Sequence, residues 1–187
     1  MNEISKLGGK LLVIAAVAGL ALGLTNAMTE GPIAQQRIQE ANTARACVLP
    51  AAEGGFEELD NTNAELDEIY KGLTSGGETA GYTGKITVRG YGGPIEVTVG
   101  VDMSGTITGI SVGGSDFSET AGLGAKTKDA AFTDQFAGLS AEDLPGIAVK
   151  ADGGVIDAVS SATISSRAVS KGVRTVCEAL TELIKEG

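Results

Sequence analysis

The chain has 187 residues, 42% of them apolar, with 28 glycines, no tryptophan and no histidine. That allows one domain of ordinary size with residues to spare, cored by Val, Ile, Ala and Leu. A net charge of -10 repels phosphate backbones and argues against nucleic acid as a partner, and the absence of histidine makes triad hydrolysis and zinc chemistry poor fits.

Residues 1–10 carry Lys6 and Lys10. Leu11 to Thr29, "LLVIAAVAGLALGLTNAMT", has no charge and is long and apolar enough for a transmembrane helix. The first basic residue beyond it is Arg37, so the positive-inside rule places the N-terminus in the cytoplasm and the rest outside the cell membrane. A cleaved signal peptide is the competing reading, because Thr25-Asn26-Ala27 loosely matches a small-x-small cleavage site. Ala15, Gly19, Gly23 and Ala27 recur every fourth residue, which gives a face of small residues on which another membrane helix could lie.

Residues 30–80 read as a juxtamembrane helix and a connecting segment. The helix is expected over Ile33 to Val48, stopped by Pro50. The acidic, glycine-rich stretch after it reads as loop, short helix and edge. A domain is expected over residues 81–187. Ile86 and Val88 alternate with polar residues, as do Ile95, Val97, Val99 and Val101, and Thr106 to Val112 is rich in strand formers. Period two predicts half-buried antiparallel strands, with turns at Gly92-Gly93-Pro94 and Asp102 to Gly105. Ile147 and Val149 suggest a further strand, turning at Asp152-Gly153-Gly154 into Val155-Ile156-Asp157. Val169, Val173, Val176, Cys177, Leu180 and Ile184 form the apolar stripe of a helix that covers the sheet. The expected fold class is α+β: an antiparallel sheet packed by helices behind one N-terminal membrane helix. Cys47 and Cys177 have no metal-binding spacing, and whether they pair is left open.

Two loops carry the chemistry. In "SETAGLGAKTKDAAFTDQF", Gly122 and Gly124 flank Leu123 just after Glu119 and Thr120. Glycines there permit close backbone approach to a ligand, although an ordinary turn before a helix bearing Phe132 and Phe136 explains them equally. In "DAVSSATISSRAV", Ser160, Ser161, Thr163, Ser165 and Ser166 precede or open a helix that needs one cap. Helix N-terminal N–H groups are donors for a phosphate, and Arg167, Lys171 and Arg174 add a basic stripe. The site suits a phosphate-bearing ligand, although a plain solvated face also explains the basic stripe, and the ligand's identity does not follow from these residues.

Asp157-Ala158-Val159-Ser160-Ser161-Ala162-Thr163 resembles the Asp-x-x-Ser/Thr-Gly/Ser-Ala-Thr flavinylation motif of covalent FMN-binding domains. "ETAGLGAK" resembles the ETPGLG loop of that family, and "GYTGKITV" looks like its opening strand. The three blocks stand in the family's order behind an anchor helix, and the pattern is most similar to the G subunits of Rnf complexes, ion-translocating ferredoxin:NAD+ oxidoreductases. The C subunits of Na+-pumping NADH:quinone oxidoreductases are similar but usually longer. The chain departs from the pattern at Phe117, where many relatives have His, at Ala121 in place of Pro, and at Ser161 in place of the commoner Gly.

The resemblance implies an electron-carrier subunit with FMN joined by a phosphoester to Thr163, attached by a flavin transferase that reads Asp157, Ser160, Ala162 and Thr163. It implies that Ser160, Ser161, Ser165 and Ser166 cap the helix, contact the phosphate or serve transferase recognition, that Ala162 and Arg167 also belong to the phosphate site, and that Glu119, Thr120, Leu123 and Gly124 lie near the flavin ring. The expected partners are other membrane subunits, met through the Gly19/Gly23 face, and the transferase. No catalytic residue and no metal are expected, because the cofactor does the redox chemistry. The alternative is an anchored extracytoplasmic module that holds a phosphate-bearing ligand noncovalently.

Overall fold

In the computed structural model, residues 3–61 and 63–186 are described, and the chain forms two compact units that part after Glu40. Helix α1, Glu3–Val48, is continuous through Pro32. Proline in a helix interior removes one backbone bond; one and two turns earlier, the Thr29 and Thr25 hydroxyls donate to carbonyls four residues back, both at 2.9 Å. Leu11, Leu12, Val13, Ile14, Val17, Leu20, Leu22 and Leu24 are all exposed. A helix apolar on every side needs lipid or partner helices around it, and α1 is the single helix among the described residues long and apolar enough to cross a membrane.

The second unit is built on a five-stranded antiparallel sheet: β1 (Gly55–Glu58), β2 (Glu68–Leu73), β3 (Thr79–Arg89), β4 (Pro94–Asp102) and β5 (Ile107–Gly113). Spatial order equals chain order, so the sheet is a meander. The β3–β4 ladder sets Gly84 opposite Val99, Ile86 opposite Val97 and Val88 opposite Ile95. These residues face helix α3, Thr163–Glu186, whose Val169, Val173, Val176, Cys177 and Leu180 are fully buried. Each such side chain contributes roughly 1.5–3 kcal/mol by leaving water.

The opposite face of the sheet receives the last turns of α1. The Val48 carbonyl lies against Gly100, where any Cβ would overlap it, and the Thr108 hydroxyl donates to that carbonyl. Arg45 is buried, with its guanidinium 3.7 Å from the centre of the Tyr70 ring and paired with Glu68. Lys85 takes the other Glu68 oxygen at 2.5 Å. Burial alone pushes the Glu68 carboxyl up, but Lys85 and Arg45 outweigh it and hold the group below the usual range.

Three expectations change. The sheet starts at Gly55 rather than near residue 81, because β1 is a four-residue edge and β2 buries only Ile69 and Gly72, too few for a visible alternation. Ile147 and Val149 are buried but form no ladder. They lie between Pro145 and the Gly153-Gly154 bend, and a single parallel bridge joins Val149 to Ile156. Phe132 and Phe136 belong to a short helix, α2 (Ala130–Thr133), and the 3-10 turn after it, their rings edge to face at 5.5 Å. Cys47 and Cys177 are both free thiols; Cys47 is exposed, and burial pushes the Cys177 thiol up.

Candidate functional site

α3 opens at Thr163, and the bend leading into it turns on Ser161, the one non-glycine residue among those described with a positive φ, 62°. The bend is closed by the Ala162 N–H, which donates to the Val159 carbonyl at 2.9 Å. Two of the five hydroxyls hold the bend together from inside. Ser166 accepts from the Val159 N–H and donates to the Ala162 carbonyl, both at 3.0 Å. Ser165, equally buried, accepts from the Tyr91 N–H at 3.4 Å. Ser160 and Ser161 are exposed and Thr163 is half-buried. The Thr163 hydroxyl therefore stands at the first turn of a helix, where backbone N–H groups lack intrahelical acceptors, and no acidic residue lies in that turn.

One turn further, Arg167 is held side-on by Asp152, with Nε to Oδ2 at 2.5 Å and Nη2 to Oδ1 at 2.7 Å. That contact keeps the Asp152 carboxyl low and the Arg167 guanidinium high. Asp157 is paired with Lys150 at 2.7 Å. Its backbone is gripped by the Gln135 amide, which accepts from the Asp157 N–H at 2.7 Å and donates to its carbonyl at 3.2 Å. Further along α3, Arg174 faces Glu178 rather than the helix start.

The first loop reaches the second through the turn between β3 and β4. The Glu119 carboxylate accepts from the Gly92 N–H at 3.0 Å, while the Ser118 hydroxyl donates to the Gly92 carbonyl at 3.0 Å. A Cβ on Gly90 or on Gly124 would overlap the Glu119 carboxylate, so the glycines around this acid leave room for it. Thr120 receives the N–H groups of Leu123 and Ala125 at 3.1 and 3.2 Å, which closes the loop on itself. Gly124 opens a 3-10 turn that the buried Thr127 hydroxyl ties to the Gly124 carbonyl at 2.8 Å. Phe117 carries the Lys128 ammonium 4.0 Å from its ring centre.

The two loops therefore meet through a glycine-rich turn that sequence reasoning treated only as a turn. Tyr91, Ser118, Gln135 and Asp152 were all missed. The three segments present large apolar groups to solvent: Tyr91 is 74% exposed, Leu123 41% and Ile164 53%.

The FMN-binding domain profile matches residues 90–178, which span the turn, both loops and most of α3. The G subunit of the Na+-translocating ferredoxin:NAD+ oxidoreductase complex of Acetobacterium woodii is 39% identical, over 96% of this chain and 93% of that protein. The chain belongs to the family of G subunits of ion-translocating oxidoreductase complexes. Another member, the G subunit of the ion-translocating oxidoreductase complex of Methanosarcina acetivorans, is 35% identical over 90% of this chain and 89% of its own length. The crystal structure of Shewanella oneidensis NqrC shares the fold at a TM-score of 0.51, with 19% identity and 70% of each chain covered.

The residues fit an FMN. A half-buried hydroxyl at a helix start with no acidic residue in its first turn suits the phosphate, and exposed Tyr91, Leu123 and Ile164 on adjoining segments suit a flat, largely apolar ring.

Proposed function

We propose that this chain is the electron-carrier subunit of a membrane-bound, ion-translocating ferredoxin:NAD+ oxidoreductase complex, with FMN joined through its phosphate to the Thr163 side chain. The observation that carries the reading is the sorting of the hydroxyls. Ser165 and Ser166 are turned inward and used, whereas Thr163 is half-open at the first turn of α3.

In this reading Thr163 is the attachment point. The free N–H groups of the first turn and the donors of Arg167 share the phosphate's charge. Ser160 and Ser161 stand outside it, available to a flavin transferase, as does the exposed carboxylate of Asp157. Condensing a free phosphate with an alcohol is unfavourable in water, so the transferase must use a flavin whose phosphate is already an anhydride. The Thr163 oxygen forms the new O–P bond, the anhydride bond breaks, and a nucleoside monophosphate and the hydroxyl proton leave. Bound FMN supplies one- and two-electron redox chemistry. This chain's residues anchor it, cover it and set the polarity around it. Glu119 supports the ring side indirectly, by holding the Gly90–Gly93 turn and Tyr91 in place.

The same reading places residues 1–10 in the cytoplasm, residues 11–29 across the membrane, and everything from residue 30 onward outside, including the sheet that begins at Gly55. Other membrane subunits would pack on the face that carries Gly19 and Gly23.

Intact mass tests the linkage. After incubation with a flavin transferase and a flavin dinucleotide, the wild type is expected to gain about 438 Da, FMN less water, and Thr163→Ala to gain nothing. Flavin that leaves on denaturation would favour a noncovalent binding module instead. A gain that persists in the mutant would move the linkage to Ser160 or Ser161, since Ser165 and Ser166 are buried.

A further inference from the structure

We propose that Asp152 is a positioning residue for the cofactor's phosphate, acting through Arg167; the inference rests on the reading of Thr163 above. Arg167 stands four residues after Thr163 on α3, so the two side chains share a helix face. An unrestrained arginine on the surface samples many rotamers, and ordering it around an anion costs entropy. Here that ordering is already in place. Both Asp152 oxygens are engaged, by Nε at 2.5 Å and Nη2 at 2.7 Å. A guanidinium has five N–H donors, so three remain for an acceptor on the same face.

Asp152 is itself fixed. Its N–H donates to the Val149 carbonyl at 2.8 Å, the Gly153 N–H to the Lys150 carbonyl at 3.1 Å, and the Gly154 N–H to the Val149 carbonyl at 3.2 Å. Val149 and Ile156, which flank the bend, are fully buried. The guanidinium is thus held to α3 by its own stem and to the core by Asp152. The carboxylate also cancels the charge of Arg167, which would be a handicap if the site worked by long-range attraction alone. What the pair keeps is directed donors, which match a phosphate through geometry. The neighbouring cation, Lys150, is likewise engaged by a carboxylate, Asp157, at 2.7 Å.

The experiment follows the rate of the mass gain of about 438 Da on the full-length chain, with transferase and flavin dinucleotide, for wild type, Asp152→Asn, Asp152→Glu, Arg167→Ala and the Asp152→Asn/Arg167→Ala double variant. Asp152→Asn is expected to slow attachment by roughly three- to ten-fold, the scale of one disordered charged group. Asp152→Glu should restore most of the rate. Arg167→Ala should slow attachment at least as much, with no further loss in the double variant. The phosphorus resonance of the attached diester should shift in Asp152→Asn, while the melting temperature should hardly move, because an exposed ion pair adds little to stability. Attachment to Asp152→Asn as fast as or faster than to wild type would make Asp152 a bystander or a competitor and overturn the proposal. So would a double variant slowed by the product of the single effects. A wild-type chain that gains no mass overturns the reading of Thr163 itself, and this inference with it.

Discussion

Ser161 shows what one residue contributes at the site. Its φ of 62° lies where a side chain bearing a Cβ is strained by about 1–2 kcal/mol, so glycine would fit this bend with less strain. Ser161→Gly is expected to raise stability by about 1 kcal/mol, or roughly 2–4 °C in melting temperature for a chain of this size, as calorimetry would check. Gly124→Ala should do the reverse. Its Cβ would collide with the Glu119 carboxylate, and the resulting strain or loop shift should cost about 1–3 kcal/mol, read from denaturant midpoints. At this scale the sequence was only partly legible. The ETAGLG loop and the Thr163 block stood out as motifs, but the partner of Glu119 is a backbone N–H on Gly92, distant in the chain. Residue type does not reveal such a partner. The split between Ser165 and Ser166 on one side and Thr163 on the other was hidden for a related reason: all three are small hydroxyls, and only the turn geometry sorts them.

At the scale of elements, the strongly periodic pieces were readable. The stripe of α3 is buried where spacing placed it, from Val169 to Leu180, and β3, β4 and β5 form where period two placed them, but β4 is not half-buried: Val97 to Val101 is buried without a break because both faces of the sheet are covered there, and Thr108 to Ser111 of β5 is evenly half-buried. β1 and β2 were not readable, because an edge hairpin with one half-wet face has no clean period. Leu180→Ala removes a fully buried side chain between α3 and the sheet and should cost about 2–5 kcal/mol by chemical denaturation. The docking of the last turns of α1 on β2 and β3 has a pH signature. Glu68 has a folded-state pKa below its ordinary value, so its contribution is present above the unfolded carboxylate pKa and is lost as pH falls through the depressed folded one. Urea midpoints measured across the acid range should therefore fall for wild type and fall less steeply for Glu68→Gln.

For the whole molecule, composition and charge had already bounded the answer. A histidine-free, acidic chain with one uncharged apolar run left little room for hydrolytic or nucleic-acid functions. Which sulfur is reachable required the structure, since both cysteines sit in helical segments with apolar neighbours. Cys47 is exposed and Cys177 is not. A maleimide reagent should label one thiol quickly in the native protein and two after denaturation. Protection of both in the native protein would mean that the face of α1 bearing Cys47 is covered.

The meander carries a consequence for how such a protein is made. Each strand pairs with the one synthesised just before it, so the sheet can assemble while the ribosome is still working. Thr163, in contrast, follows all five strands and gains its surroundings only when α3 settles onto them. In the proposed reading, the attachment point is complete only once α3 is seated, and a transferase that recognises this finished bend would leave immature chains unlabelled.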